Sequence, residues 1–226
     1  MSATVGVVVF PGSNCEHDVV EALRGLGARA VLLWHGDAQL GDVDAVVLPG
    51  GFAHGDYLRP GALARFSPVM GPITEFAAAG GPIVGICNGF QVLTEAGLLP
   101  GALQKNRGAK FLCAPADLVV ASAQSALTCA TEVGEVLRLP INHFEGNYTC
   151  SAETLAELQA EGRVVLRYVD NPNGSMDDIA GVCSAGRNVV GLMPHPERAC
   201  DPLLGSVDGR RLLASLLVAA GNRIAA

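Results

Sequence analysis

The chain has 226 residues, of which 50% are hydrophobic, and its formal net charge is −7 at pH 7. This composition is typical of a globular domain with a sizeable core and excludes a disordered chain. The negative charge and the lack of any lysine or arginine run indicate that nucleic acid is not a partner. The seven cysteines are widely spaced and form no C-x-x-C pair, so no metal site is expected.

The N-terminal segment MSATVGVVVFPG contains a short apolar run without a positively charged flank. This pattern is typical of a first strand and not of a signal peptide. No apolar segment has the length that crossing a bilayer requires. We therefore expect a cytoplasmic protein without membrane contact.

The first half of the chain alternates strand and helix patterns. The Val-rich run at 5–10 predicts a buried strand, and Ser13 and Glu16 have the spacing of a capping box, which would begin a helix that Gly27 ends. The remaining elements predicted here are strands over 30–33, 45–48 and 83–86, a helical region over about 60–79 interrupted near Pro68, and a helix over 91–96. Strands that alternate with helices predict an α/β fold with an open, mostly parallel sheet and helices on both faces.

The second half is richer in strands and ends in a helix from about Asp208 to Ala220. Its predicted strands cover 111–121, 136–141, 164–169, 179–183 and 189–193. No repeat or linker divides the chain, so residues 1–226 are predicted to form a single domain. The stretch GLGARA at 25–30 fits a relaxed nucleotide-binding pattern, but it closes a helix instead of opening one, and no nucleotide site is expected.

The segment Gly85-Ile86-Cys87-Asn88-Gly89 joins a predicted strand to a predicted helix. Glycines on either side of a nucleophile allow a sharp turn that holds the reactive side chain clear of the sheet. Cys87 would then lie at a helix N-terminus, where partial positive charge favours the thiolate. The turn also directs the N–H of Asn88 toward an oxygen that becomes negative during attack. Cys87 is therefore the candidate nucleophile.

A cysteine nucleophile needs a base and a group that orients the base. His195 and Glu197 lie in the segment Pro194-His195-Pro196-Glu197, and in an extended chain residues two apart point the same way. This spacing lets the Glu197 carboxylate reach the His195 imidazole. From spacing alone, however, the pair His143 and Glu145 competes with it as the base or as metal ligands.

Acyl transfer also needs N–H donors for the developing oxyanion. Gly50 and Gly51 follow the strand predicted over 45–48, and their loop would lie at the same sheet edge as Cys87. Gly51 is therefore a candidate second donor beside Asn88.

Three segments of the chain, taken in order, resemble the triad-type (class I) glutamine amidotransferases, a flavodoxin-like α/β family. These segments are PGGF at 49–52, GICNGFQ at 85–91 and PHPE at 194–197. Four further segments make the chain similar to the PurQ family, the glutaminase subunits of phosphoribosylformylglycinamidine synthase: FPGSNC at 10–15, GGFAHGDYLRPG at 51–61, NPNGS at 171–175 and GLMPHPER at 191–198. The similarity extends over essentially the whole chain.

The resemblance implies that Cys87 attacks the side-chain amide of glutamine and that His195, oriented by Glu197, protonates the departing ammonia. It implies oxyanion binding by Gly51 and Asn88 and glutamine positioning by Gln91, and it makes His143 a neighbour of the pocket. Ammonia would pass to a large synthetase subunit of the PurL type, which uses ATP and Mg²⁺ to convert formylglycinamide ribonucleotide to the amidine. A small PurS-type protein would bridge the two subunits, and this chain would hold no cofactor of its own.

Two positions depart from the family pattern. Phe144 stands where the family usually has glycine in H-G-E-G, and His54 stands where an aromatic hydroxyl is frequent. Neither change touches Cys87, His195 or Glu197, so activity is expected to survive.

The alternatives are a glutaminase for another synthetase, such as one making guanylate or anthranilate, a catalytically silent docking subunit, and a stand-alone hydrolase. The FPGSNC and NPNGS segments oppose the first of these. The intact Cys87, His195 and Glu197 oppose the second, and the PHPE segment together with Gln91 opposes the third.

Overall fold

The structure is a computed structural model and describes residues 2–224. The strands found in this range are β1 (Thr4–Val9), β2 (Arg29–Trp34), β3 (Ala45–Leu48), β4 (Ile83–Ile86), β5 (Ala102–Gln104), β6 (Leu112–Val120), β7 (Val136–His143), β8 (Asn147–Thr149), β9 (Val164–Tyr168), β10 (Ile179–Cys183) and β11 (Val189–Leu192). The α-helices are α1 (Glu16–Gly25), α2 (Met70–Ala78), α3 (Asn88–Glu95), α4 (Ala152–Ala160) and α5 (Gly209–Ile224). No helix in this range is both long enough and apolar enough to cross a membrane.

One large mixed sheet organises the fold. It has nine strands in the order β2-β1-β3-β4-β11-β10-β9-β6-β7, and β5 pairs with β8 in a separate small sheet. The neighbours from β2 to β11 are parallel, whereas those from β11 to β7 are antiparallel. The strand-rich second half of the chain therefore extends the parallel sheet sideways.

The central strands carry the core. Every residue of β3, β4 and β11 is buried, as expected for parallel strands that are covered on both faces. Helix α3 packs against all three of these strands, and α1 contacts both β1 and α5. The apolar runs at 45–48, 83–86 and 189–192 thus correspond to strands with no solvent-exposed face.

The carboxyl ends of β1, β3, β4 and β11 meet at one edge of the sheet, where ligands bind in folds of this type. Each of these strands is followed by one of the motifs seen in the sequence: PGSNC, PGGF, the Cys87 turn and PHPE. The order of the strands therefore brings together four segments that lie far apart in the chain, and Cys15 in the first of them contacts Arg198, 183 residues later.

The predicted capping box at the start of α1 was wrong. The Ser13 side chain does not cap α1: its Oγ accepts a hydrogen bond from the Phe10 N–H at 3.1 Å, and Ser13 forms a β-bridge with Gly51. The helix begins only at Glu16, because the preceding loop is held against the PGGF loop. The predicted interruption near Pro68 is confirmed, since Pro68 lies between a short 3₁₀ turn over Ala64–Phe66 and α2.

Candidate active site

The Cys87 turn has a backbone that the two flanking glycines make possible. Cys87 adopts φ 50° and ψ −105° between β4 and α3, in the left-handed half of the φ range, where L residues are strained. A Cβ at Gly85 would lie 2.6 Å from the Gly89 carbonyl oxygen, and one at Gly89 would lie 1.9 Å from the Leu48 carbonyl oxygen. The structure thus forms the sharp turn predicted from the sequence, with Cys87 at the N-terminus of α3.

We expect Gly89→Ala to destabilise the protein and to reduce its activity. The added methyl group would collide with backbone of β3, which cannot move without disturbing the sheet, so a loss of at least about 2 kcal/mol in the free energy of unfolding is expected. Denaturant unfolding measures this effect. Gly71→Ala in α2 is the matched control, since its Cβ would meet nothing within 4 Å, and an equal loss in both variants would contradict the explanation.

His195 and Glu197 form a buried pair. The His195 Nδ1 lies 2.6 Å from the Glu197 Oε1, and the two residues are 1% and 3% exposed. The segment is not extended as predicted: Pro196 begins a 3₁₀ turn over Pro196–Arg198, and this turn brings the carboxylate back to the ring. The predicted contact therefore exists, although the predicted backbone was wrong.

The surroundings of His195 favour its protonated form. Burial by itself lowers the pKa of the imidazole, but the Glu197 carboxylate and the Cys87 thiol raise it more, so the net pKa lies well above its usual range. Both Cys87 and His195 line the same cavity. The ring can thus hold a proton near neutral pH and deliver it to a group that leaves from Cys87.

The PGGF loop packs directly against this pair. A Cβ at Gly50 would lie 2.7 Å from the His195 Cε1, and Gly51 has φ 135°, a conformation that favours glycine. The Asn88 side chain holds the loop to α3, because its Oδ1 accepts a hydrogen bond from the Ala53 N–H at 2.9 Å. Gly51 and Asn88, the two residues predicted to bind the oxyanion, therefore lie on adjoining elements.

Gln91 and His143 both line the cavity, as predicted, but their polar groups are engaged in different ways. The Gln91 Nε2 donates to the Glu145 carbonyl at 2.6 Å, and its Oε1 accepts from the Asn88 Nδ2 at 2.9 Å. Gln91 therefore fixes the main chain at Glu145, which is another wall of the cavity.

The hydrogen bonds of Asn106 determine the tautomer of His143. The Asn106 Oδ1 accepts from the Gly146 N–H, and its Nδ2 donates to the carbonyls of Lys110 and His143. The His143 Nδ1, 3.1 Å from that Oδ1, must therefore carry the hydrogen. Burial and the nearby His195 lower the pKa of His143 to about 4, so the ring is neutral and its buried Nε2 is an acceptor without a partner in the described part of the chain.

Two cavity residues, Cys15 and Asp56, were missed from the sequence, and Glu145 was considered there only as a partner of His143. The Cys15 Sγ lies 3.1 Å from the Arg198 Nη2, and Cys15, His195 and Glu197 each place one ligand-type atom within 4.8 Å of the others. These are the residues of the described chain that could hold a metal ion, but the His195 Nδ1 and the Glu197 Oε1 are already joined by a hydrogen bond. Asp56 and Glu145 add two carboxylates to the cavity wall.

The cavity has a volume of about 290 Å³, enough for a small polar molecule. Besides the residues already named, Asn14, Phe52, Leu58, Arg59, Pro60, Asn142 and Phe144 contribute to its wall. Phe144 lies at the rim and is 36% exposed, with the Lys105 Nζ 5.8 Å from the centre of its ring. His54 is not part of the wall: its ring packs edge-on against His35, and its Nε2 lies 3.4 Å from the Ser67 Oγ.

Comparison with known proteins gives a consistent result. Residues 2–211 match the family model of the CobB/CobQ-like glutamine amidotransferase domain. The phosphoribosylformylglycinamidine synthase subunit PurQ of Rubrobacter xylanophilus is 62% identical over 96% of this chain and 98% of its own length. The chain belongs to the PurQ family.

Two further matches agree with the assignment. The PurQ subunit of Koribacter versatilis is 50% identical over 96% of this chain and 99% of its own length. A chain in the structure of PurLQS from Thermotoga maritima superposes with a TM-score of 0.90 at 44% identity, covering 96% of this chain and 99% of that one. The predicted family, α/β fold class and enzyme class are confirmed: this chain is a glutamine amidotransferase of the kind that serves phosphoribosylformylglycinamidine synthase.

Proposed function

We propose that this chain hydrolyses glutamine to glutamate and ammonia through Cys87, His195 and Glu197 and passes the ammonia to a synthetase subunit. The observation that carries the proposal is the arrangement of a strained Cys87 and a buried His195–Glu197 pair around one cavity. A thiol on a sharp turn, next to a protonated imidazole, is suited to attack an amide carbon. Residues 1–226 act as a single domain in this function.

The reaction proceeds in two halves through a thioester. The Cys87 thiolate attacks the side-chain amide carbon of glutamine, and the His195 imidazolium gives its proton to the departing nitrogen, which leaves as ammonia. Water then attacks the thioester while His195 takes up one of its protons. Glutamate leaves, and the thiolate and imidazolium are restored.

The N–H groups of Gly51 and Asn88 bind the oxyanion in both halves of the reaction. Asn88 is the first residue of α3, where an N–H group has no acceptor within its own helix. The Asn88 side chain bonds to the PGGF loop, which keeps the two donors at a fixed separation. Preorganised donors of this kind are worth about 10²–10³ in rate.

The ammonia is used on other subunits. The solved relative from Thermotoga maritima is part of a PurLQS assembly, and this supports a large PurL-type synthetase and a small PurS-type bridging protein as partners. ATP and Mg²⁺ would be bound by the synthetase, in agreement with the lack of a nucleotide motif in this sequence. All seven cysteines are free, which supports a reducing, cytoplasmic location.

Covalent labelling tests the nucleophile. A diazoketone analogue of glutamine should modify Cys87 alone among the seven cysteines, and peptide mass spectrometry would identify the site. Modification at another cysteine would contradict the assignment of Cys87 as the nucleophile.

We also expect glutamate release by the free chain to be slow and to increase when the synthetase and formylglycinamide ribonucleotide are added, because a partner is needed to order the pocket. Equal rates of glutamate release with and without the synthetase would contradict this need for a partner.

A further inference from the structure

The segment FPGSNC has no role in the steps above, yet its last residue lies beside the catalytic pair. Cys15 is 2% exposed, and a Cβ at Gly50 would lie 3.2 Å from the Cys15 Sγ and 2.7 Å from the His195 Cε1. The thiol donates to the Asn14 Oδ1 at 3.2 Å and accepts from the Arg198 Nη2 at 3.1 Å. A cysteine that only fills space needs no such contacts, so Cys15 belongs to a polar network.

Arg198 connects this thiol to helix α1. Its Nε donates to the Asp18 Oδ2 at 3.1 Å, while its Nη2 donates to the Cys15 Sγ. Cys15 directly precedes α1 and Asp18 lies three residues later, so the two acceptors lie on the same side of the first helical turn. The planar guanidinium has donors in a fixed arrangement and can therefore hold both acceptors at once.

The same arginine ends the turn that carries Glu197. Arg198 directly follows Glu197, and its N–H donates to the His195 carbonyl at 3.2 Å, which closes the 3₁₀ turn. A single turn has little stability of its own, so its position depends on the elements packed against it. Helix α5 packs closely on it, because a Cβ at Gly209 would lie 1.9 Å from the Pro196 carbonyl oxygen, and α1 contacts it as well. The Arg198 side chain adds a polar link between the turn and α1.

The position of the Glu197 carboxylate depends on this turn. Its Oε1 is bonded to the His195 Nδ1, whereas its Oε2 has no hydrogen-bond partner among the described residues. Burial acts to lower the pKa of Arg198, but its two hydrogen-bond partners and the Glu197 carboxylate raise it more, so the guanidinium is charged. Without Asp18, this charge would draw the Glu197 carboxylate away from the imidazole.

We infer that Arg198 is a positioning residue for the His195–Glu197 pair. Its side chain fixes the turn against α1, while Asp18 and Cys15 keep the guanidinium from competing with the imidazole for the Glu197 carboxylate. The inference rests on the proposed function, since the pair must transfer protons for its geometry to matter. Arg198 acts through Glu197 and needs no contact with the reacting bond.

Variants of the ion pair test the inference in the assembled enzyme, with glutamate release from glutamine as the measurement. Arg198→Met should lower kcat at least about 10-fold and leave KM unchanged within about twofold, because the pair acts in proton transfer and not in substrate binding. Asp18→Asn keeps the side-chain shape but removes the charge that balances Arg198, and it should lower kcat at least about threefold. Asp18→Glu restores that charge and should regain at least about half of the wild-type kcat.

A double-mutant cycle separates positioning from a general structural role. In the Glu197→Gln background, Asp18→Asn should change the remaining kcat by less than about 1.5-fold, because the negative charge that draws Arg198 is then absent. Arg211→Met removes another arginine–carboxylate contact of 3.1 Å, to Glu135, at a site outside the cavity wall. It is the matched control for the Arg198–Asp18 contact of the same length and should leave kcat unchanged.

Each outcome has a separate meaning. An unchanged kcat, an effect on KM alone, equal losses from Asp18→Asn in both backgrounds, or an equal loss in Arg211→Met would overturn the positioning role while leaving the triad mechanism in place. Synthesis from added ammonium should stay at the wild-type rate in every variant, and its loss would assign the ion pair to a subunit contact instead. A wild-type complex that releases no glutamate from glutamine would overturn the proposed function, and the positioning role with it.

Discussion

Replacement of Cys87 by alanine should abolish glutamine hydrolysis by the assembled enzyme but leave synthesis from added ammonium intact. The proposed thioester forms on the Cys87 sulfur, so the glutamine-dependent rate should fall by at least about 10⁴-fold. Alanine has the same Cβ at φ 50° as cysteine, and the turn should therefore keep its shape. Ammonium bypasses the glutaminase because the amidation takes place on the synthetase.

The experiment compares glutamate release and amidine formation for the wild type and the variant, with glutamine or ammonium as the nitrogen source. Cys113→Ala and Cys183→Ala are matched controls, one at an exposed site and one in the core, and both lie outside the cavity wall. Glutamate release at the wild-type rate by the Cys87 variant would show that Cys87 only packs. Loss of ammonium-dependent synthesis as well would point to a disrupted complex instead.

The nucleophile could be predicted from the sequence because its signal is local. Gly85 is needed because its Cβ would meet the backbone of Gly89, four residues later, while Gly89 is needed because its Cβ would meet Leu48 in the neighbouring strand β3. The position of the site could be predicted for a similar reason, since apolar runs followed by glycine or proline mark the ends of buried parallel strands. Such patterns determine which loops meet, although not how each loop is folded.

Loop conformation was the part that the sequence pattern could not give. An extended segment was expected at PHPE, but Pro196 begins a 3₁₀ turn, and His195 still meets Glu197. The capping box failed because Ser13 pairs with Gly51, a residue far along the chain. A different local turn replaced the expected one at PHPE, and a tertiary contact overrode the local rule at Ser13.

Asp56 could not be recognised for a related reason. It lies in a segment where His54, Asp56 and Leu58 all have positive φ, so the residues follow neither strand nor helix periodicity. Its proximity to Glu145 depends on hydrogen bonds from Asn88 and Gln91 to two separate loops. A pattern along the chain carries no information about such a pairing.

Replacement of Glu197 by glutamine should lower the glutaminase rate by about 10²–10⁴-fold while retaining the position of His195. A glutamine oxygen can still accept from the His195 Nδ1, but the negative charge that raises the pKa of His195 is lost. The imidazolium that protonates the departing ammonia is then present only at lower pH. In the wild type, kcat/KM should fall as the pH rises through the raised pKa of His195, and in the variant this fall should begin at a lower pH.

A pH profile of kcat/KM therefore separates the electrostatic effect from a structural one. The loss of activity in Glu197→Gln should be smaller at low pH than at neutral pH, because His195 is protonated at low pH in both enzymes. The Glu197 Oε2 is buried and has no hydrogen-bond partner among the described residues, so a glutamine NH₂ there would cost about 1–3 kcal/mol of stability. Rates should therefore be measured well below the unfolding temperature. Glu161→Gln, which removes the ion pair between the exposed Glu161 carboxylate and the buried Arg163 away from the cavity, is the control. An unshifted pH profile with a uniformly reduced rate would mean that Glu197 only positions the ring, and the role of its charge would have to be abandoned.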